Sequence, residues 1–149
     1  MKGGPVVVLG LGNVLMQDDG VGVHAAWALM ADPPAGCDVI EVGTAPLYVL
    51  DDIERAGKVI AIDAVDTGHA AGTVARFVLD EDARPHASSL HDLGLASALA
   101  LLPPETRPPA VVLGVVPERI ETGLELSETV AAALPRLLEE VRLEVGKRE

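Results

Sequence analysis

The chain has 149 residues, 49% of them hydrophobic, the size of one domain spanning 1–149 and enough to bury roughly 68 to 70% of the surface of its unfolded form. A net charge of −12 repels phosphate backbones and anionic lipid heads, which excludes nucleic acid and membrane surfaces as expected partners and favours a protein with a basic segment. The single cysteine, Cys37, excludes a disulfide framework and a Cys-rich zinc site, so a reduced, cytoplasmic protein is expected.

Mean hydropathy is positive, yet no stretch reaches the ~18 to 20 uninterrupted apolar residues that cross a bilayer. The first apolar run, Val6 to Leu9, is strand-length and too short for a signal peptide. It leads through a glycine turn to a predicted helix over Val21 to Met30, which stops near Asp32-Pro33-Pro34. A second strand is expected over Asp38 to Val42, followed by a helix that Thr44 caps, with Pro46 in its first turn. Strands over Val59 to Asp63 and Thr73 to Val78 come next. A helix over His91 to Leu102 opens on Ser89-Leu90-His91-Asp92, which has the form of a capping box, and stops at Pro103-Pro104. A strand over Ala110 to Val116 and an amphipathic helix complete the pattern. That last helix carries Val130, Leu134, Leu137, Leu138, Val141 and Val145 on one face, with Glu139, Glu140, Arg142 and Glu144 expected to be exposed.

Strands alternating with helices predict an α/β fold with parallel strands and crossover connections. Val6-Val7-Val8-Leu9, Val59-Ile60-Ala61-Ile62 and Val111-Val112-Leu113 are apolar at every position, as in strands that helices cover on both faces.

In such a sheet, ligands bind beyond the carboxyl ends of the strands. The loop after the first strand, Gly10-Leu11-Gly12-Asn13-Val14-Leu15-Met16-Gln17-Asp18-Asp19-Gly20-Val21-Gly22, lies there. It is a poor dinucleotide cradle, because Leu15 replaces the third glycine and two carboxylates oppose a pyrophosphate. Helix capping explains one of Asp18 and Asp19, but not both. Asp63 ends a strand at the same edge, with a turn aspartate as its plainer explanation. His91, in the first turn of a helix, stays neutral and able to ligate a metal, whereas His24, His69 and His86 have no matching context. Asp19, Asp63 and His91 together form a possible oxygen and nitrogen ligand set for a borderline divalent metal, and a metal-free acid and base pair is the rival.

The opening loop resembles the signature of the hydrogenase maturation proteases. Gly43-Thr44, Ile62-Asp63-Ala64, His91-Asp92-Leu93-Gly94-Leu95 and Gly114-Val115-Val116-Pro117-Glu118 agree in order and approximate spacing. The resemblance implies a three-layer α/β sandwich in which helices flank a mostly parallel, twisted five-stranded sheet. It implies an endopeptidase that removes the C-terminal extension of a nickel–iron hydrogenase large-subunit precursor after nickel insertion. Asp19, Asp63 and His91 carry over as the nickel-binding, catalytic set, with nickel delivered in the precursor and a monomer expected. Two departures stand out: Asp19 is an aspartate where many members have glutamate, and Val42 replaces the first glycine of an acidic-Gly-Gly-Thr segment. Peptidyl-tRNA hydrolase also runs from its first strand into Gly-Leu-Gly-Asn, but its Asn-Pro-Gly continuation and downstream Arg-His-Asn are missing. A non-enzymatic ligand-binding module on a flavodoxin-like sheet is the alternative of a different class, and it predicts a phosphate-binding backbone.

Overall fold

The structure, a computed structural model, describes residues 3–79 and 92–147. In chain order its elements are β1 (Val6–Leu11), α1 (Val21–Ala31), β2 (Cys37–Gly43), α2 (Leu50–Arg55), β3 (Lys58–Ala64), β4 (Val74–Leu79), α3 (Asp92–Ala100), β5 (Ala110–Val115) and α4 (Glu128–Gly146). The strands form one sheet in the order β2-β1-β3-β5-β4, parallel except for β4, which runs antiparallel to β5. The expected mostly parallel five-stranded α/β sheet is therefore the one observed.

The continuous apolar runs of β1, β3 and β5 occupy the three inner positions, and every residue of β3 and β5 is buried. One face packs Val7, Leu9, Val59, Ala61 and Val112 against Ile53 of α2 and Leu95 and Leu99 of α3. The opposite face packs Val8, Ile60, Ile62, Val111 and Leu113 against Val21, Ala25 and Leu29 of α1 and Val130, Leu137 and Val141 of α4. Side chains alternate across each strand, so a strand buried on both faces has no polar side.

From β1 the chain crosses to β2 on one flank and then returns to β3 on the other. Their loops diverge at this topological switch point, opening a crevice at the carboxyl ends of β1 and β3. Gly10 pairs with Ile62, which sets the end of β1 level with Asp63.

Two expectations are corrected. The turn after β2 begins at Ala45, with Pro46 at its first position and no side-chain cap, so Thr44 does not cap it; the proline starts the turn one residue later. Glu144 is 1% exposed because the buried stripe of α4 continues through Val130, Leu137, Val141 and Glu144. Its carboxylate accepts hydrogen bonds from Lys58 Nζ at 2.6 Å, Arg76 Nε at 2.7 Å and Lys147 Nζ at 3.3 Å. The expected capping box begins at Ser89, outside the described residues.

This cluster sets an acid limit on stability. The Arg76 hydrogen bond, opposed by burial and reinforced by Lys58, holds the Glu144 carboxyl down at about 2. A depressed carboxylate stabilises the fold above its unfolded value near 4.5, and that contribution is lost as pH falls toward 2. Glu144→Ala strands the nearly buried Lys58 ammonium and should cost about 3 to 5 kcal/mol at pH 7. Urea unfolding from pH 7 to 3 checks this: the gap between wild type and variant should narrow with acid.

Candidate active site

Backbone demands fix the loop between β1 and α1. Gly12 has φ +127°, and a Cβ there would stand 2.0 Å from the Asp19 carbonyl oxygen; only glycine allows the loop to fold back on itself. The chain then makes one tight turn over Gln17–Gly20, held by main-chain bonds from Gln17 to Gly123 and from Asp18 to Arg119.

The two adjacent carboxylates have separate tasks. Asp18 is fully buried and accepts from the main-chain N–H groups of Glu118 (2.9 Å), Arg119 (2.8 Å) and Ser127 (2.7 Å), and from the Ser127 hydroxyl (2.8 Å). Burial opposes its ionisation, but the Ser127 and Arg119 N–H groups, with the other donors, outweigh it and hold the carboxyl below its ordinary range. Asp18 therefore fastens the first loop to the start of α4, whose N-cap is Ser127. Neither the tight turn nor α1 has a side-chain cap, so neither aspartate caps the helix that follows it. Asp19 is 3% exposed, and its Oδ2 accepts the Asn13 N–H at 3.0 Å.

Asp63 is fully buried at the end of β3, where Oδ1 accepts the Ala64 N–H at 2.8 Å. Buried charged residues among those described thus divide by place: Lys58 and Glu144 pair at the amino end of β3, while Asp18, Asp19 and Asp63 gather at the carboxyl edge. Carboxylates collected at a sheet edge in this way suit a cation or a water that must lose a proton.

Beside them opens a cleft of about 430 Å³, lined by Asp19, Ala64, Val65, Asp66, His69, Ala71, Val116, Pro117 and Ile120. Asp63 is not in the lining, although its neighbours Ala64 and Val65 are. His91 lies outside the described residues, and among those described no three His, Cys, Asp or Glu side chains group as metal ligands. The structure therefore brings Asp19 and Asp63 to one edge of the sheet.

Of the remaining histidines, His24 packs its ring 5.1 Å from that of Trp27, with burial lowering its pKa; His86 is outside the described residues. His69 lines the cleft, which its sequence context does not indicate beyond the turn at Gly68. Cys37 lies away from the cleft lining, and burial foremost, with the nearby Asp38 charge, pushes its thiol up to about 11. It is a poor nucleophile at neutral pH. The space beside Gly12 is filled by the chain's own Asp19 carbonyl, and that beside Gly20 by Val14, so these glycines do not open a phosphate cradle.

A family model described as hydrogenase maturation protease matches residues 23–144. The hydrogenase 2 maturation protease of Escherichia coli K12 is 32% identical over 145 residues, covering 91% of this chain and 87% of that protein. A longer relative, the hydrogenase expression/formation protein HupD of Thiocapsa roseopersicina, is 33% identical over 120 residues; the match covers 77% of this chain and 51% of that protein. In structure the chain is similar to the hydrogenase maturating endopeptidase HybD from E. coli, with TM-score 0.82, 30% identity, and coverage of 97% of this chain and 92% of that one.

Proposed function

The chain belongs to the hydrogenase maturation protease family, and from that premise we propose that it removes the C-terminal extension of a nickel–iron hydrogenase large-subunit precursor after nickel insertion, in the cytoplasm. The observation that carries this reading is the pair of buried carboxylates, Asp19 and Asp63, at the switch-point edge beside an open cleft. Nickel arrives as part of the substrate, and Asp19, Asp63 and His91 are the residues that grasp it. Carboxylate and imidazole are suitable donors for a borderline divalent ion.

Anchoring the precursor this way fixes the scissile peptide against the cleft, which replaces a bimolecular encounter by a positioned one. Asp63 then takes a proton from water as the water oxygen bonds to the carbonyl carbon. The C–N bond breaks and that proton passes to the leaving amine. The tight packing around Asp18 supports this chemistry by keeping Asp19 in place.

The test is mass spectrometry of nickel-loaded and nickel-free precursor, each incubated with the protein. A defined C-terminal peptide should leave the loaded form only. Absence of cleavage in both forms overturns the reading.

A further inference from the structure

We propose that His69 is a substrate-contacting residue, donating a hydrogen bond from Nε2–H to a main-chain carbonyl of the precursor peptide in the cleft. The inference rests on the proteolytic reading above, and concerns a residue that the nickel-binding set does not include.

The cleft is poor in side-chain donors. Of the described lining residues, Ala64, Val65, Ala71, Val116, Pro117 and Ile120 have no polar side-chain atom. Asp19 and Asp66 are acceptors, each already receiving a main-chain N–H, from Asn13 at 3.0 Å and from Gly68 at 3.2 Å. His69 is the one described lining side chain equipped to donate. A peptide entering the cleft brings carbonyl oxygens that lose water and need donors. Among the described lining side chains, the two carboxylates and the apolar residues supply none.

The His69 ring is also oriented by its own turn. Thr67 Oγ1 accepts the His69 main-chain N–H at 3.2 Å and lies 2.8 Å from His69 Nδ1. A threonine hydroxyl that donates to Nδ1 leaves the ring proton on Nε2, the nitrogen not engaged by Thr67. Thr67 is then a positioning residue, because its hydroxyl oxygen contacts both the His69 main-chain N–H and Nδ1 and so sets the ring's direction. The exposed His69 is held at the cleft by its own turn.

Cleavage of nickel-loaded precursor is to be measured for wild type, His69→Ala, His69→Gln and Thr67→Val, with the melting temperature of each. Loss of one substrate hydrogen bond lowers kcat/KM about tenfold in His69→Ala. Glutamine places an amide N–H near the position of Nε2, so His69→Gln should stay within about threefold of wild type. Thr67→Val should fall between them, with all melting temperatures unchanged. Wild-type efficiency in His69→Ala overturns the proposal, as does a glutamine variant as impaired as the alanine one. If wild type itself leaves loaded precursor intact, the proteolytic reading fails first and takes this contact with it.

Discussion

Asp63→Asn should cripple precursor cleavage, lowering kcat/KM by about 10² to 10⁴, while the protein keeps its fold. The substitution separates charge from packing. An asparagine side chain at this position retains the Oδ1 that accepts the Ala64 N–H and occupies nearly the same volume inside the buried end of β3. It loses the negative charge that a cation needs and the basicity that takes a proton from water. A circular dichroism melt within a few degrees of wild type, alongside crippled cleavage, is the expected pair of results. Full activity would remove Asp63 from the chemistry.

Gly22→Ala should be severely destabilising for a single added methyl group. A Cβ at Gly22 would stand 2.0 Å from the Ile62 carbonyl oxygen and 2.3 Å from that of Leu11. Both obstacles are backbone, so no rotamer change relieves them. On the facing strand, a Cβ at Gly10 would be 2.6 Å from both the Ala26 Cβ and the Gly22 carbonyl oxygen. These two glycines let α1 lie directly on β1 and β3. Alanine forces the helix off the sheet, and α1 carries Val21, Ala25 and Leu29 of one core layer. The expected loss is roughly 3 kcal/mol or more, a fall in melting temperature of roughly 6 to 12 °C. Gly146→Ala, where nothing lies within 4 Å, is the control and should leave stability unchanged. A Gly22→Ala variant melting with wild type would show that α1 has slack against the sheet.

Gly22 also ties the stability of the fold to the placement of the first-loop carboxylates. Gly20 and Gly22 bracket the start of α1, and the tight turn immediately before it carries Asp18 and Asp19. Displacing α1 pulls on that turn, whereas Asp63 stands on the rigid end of a central strand. Gly22→Ala should therefore reduce cleavage as well, through Asp19.

The inner strands are legible in sequence, since Val6 to Leu9, Val59 to Ile62 and Val111 to Leu113 are apolar without alternation, a pattern that two covered faces require. Their chain order against the helices points to the α/β class, and motif order to the family. That Asp19 and Asp63 lie at the carboxyl edge of the sheet is legible, because one follows the first inner apolar run and the other ends the second. Which of Asp18 and Asp19 serves the scaffold is not legible: the donors that engage Asp18 come from residues 100 to 109 positions away. Glu144 reads as a surface residue for the same reason, its partners Lys58 and Arg76 being 86 and 68 positions distant. His69 joins the cleft only when β3 and β5 pair in register and bring Ala64, Val65 and the turn at Gly68 against Val116 and Pro117. Local periodicity records which side of an element is apolar, and so determined the layers. The partner of a buried charge is set by long-range pairing, so only the tertiary structure decided which of the acids fasten the scaffold.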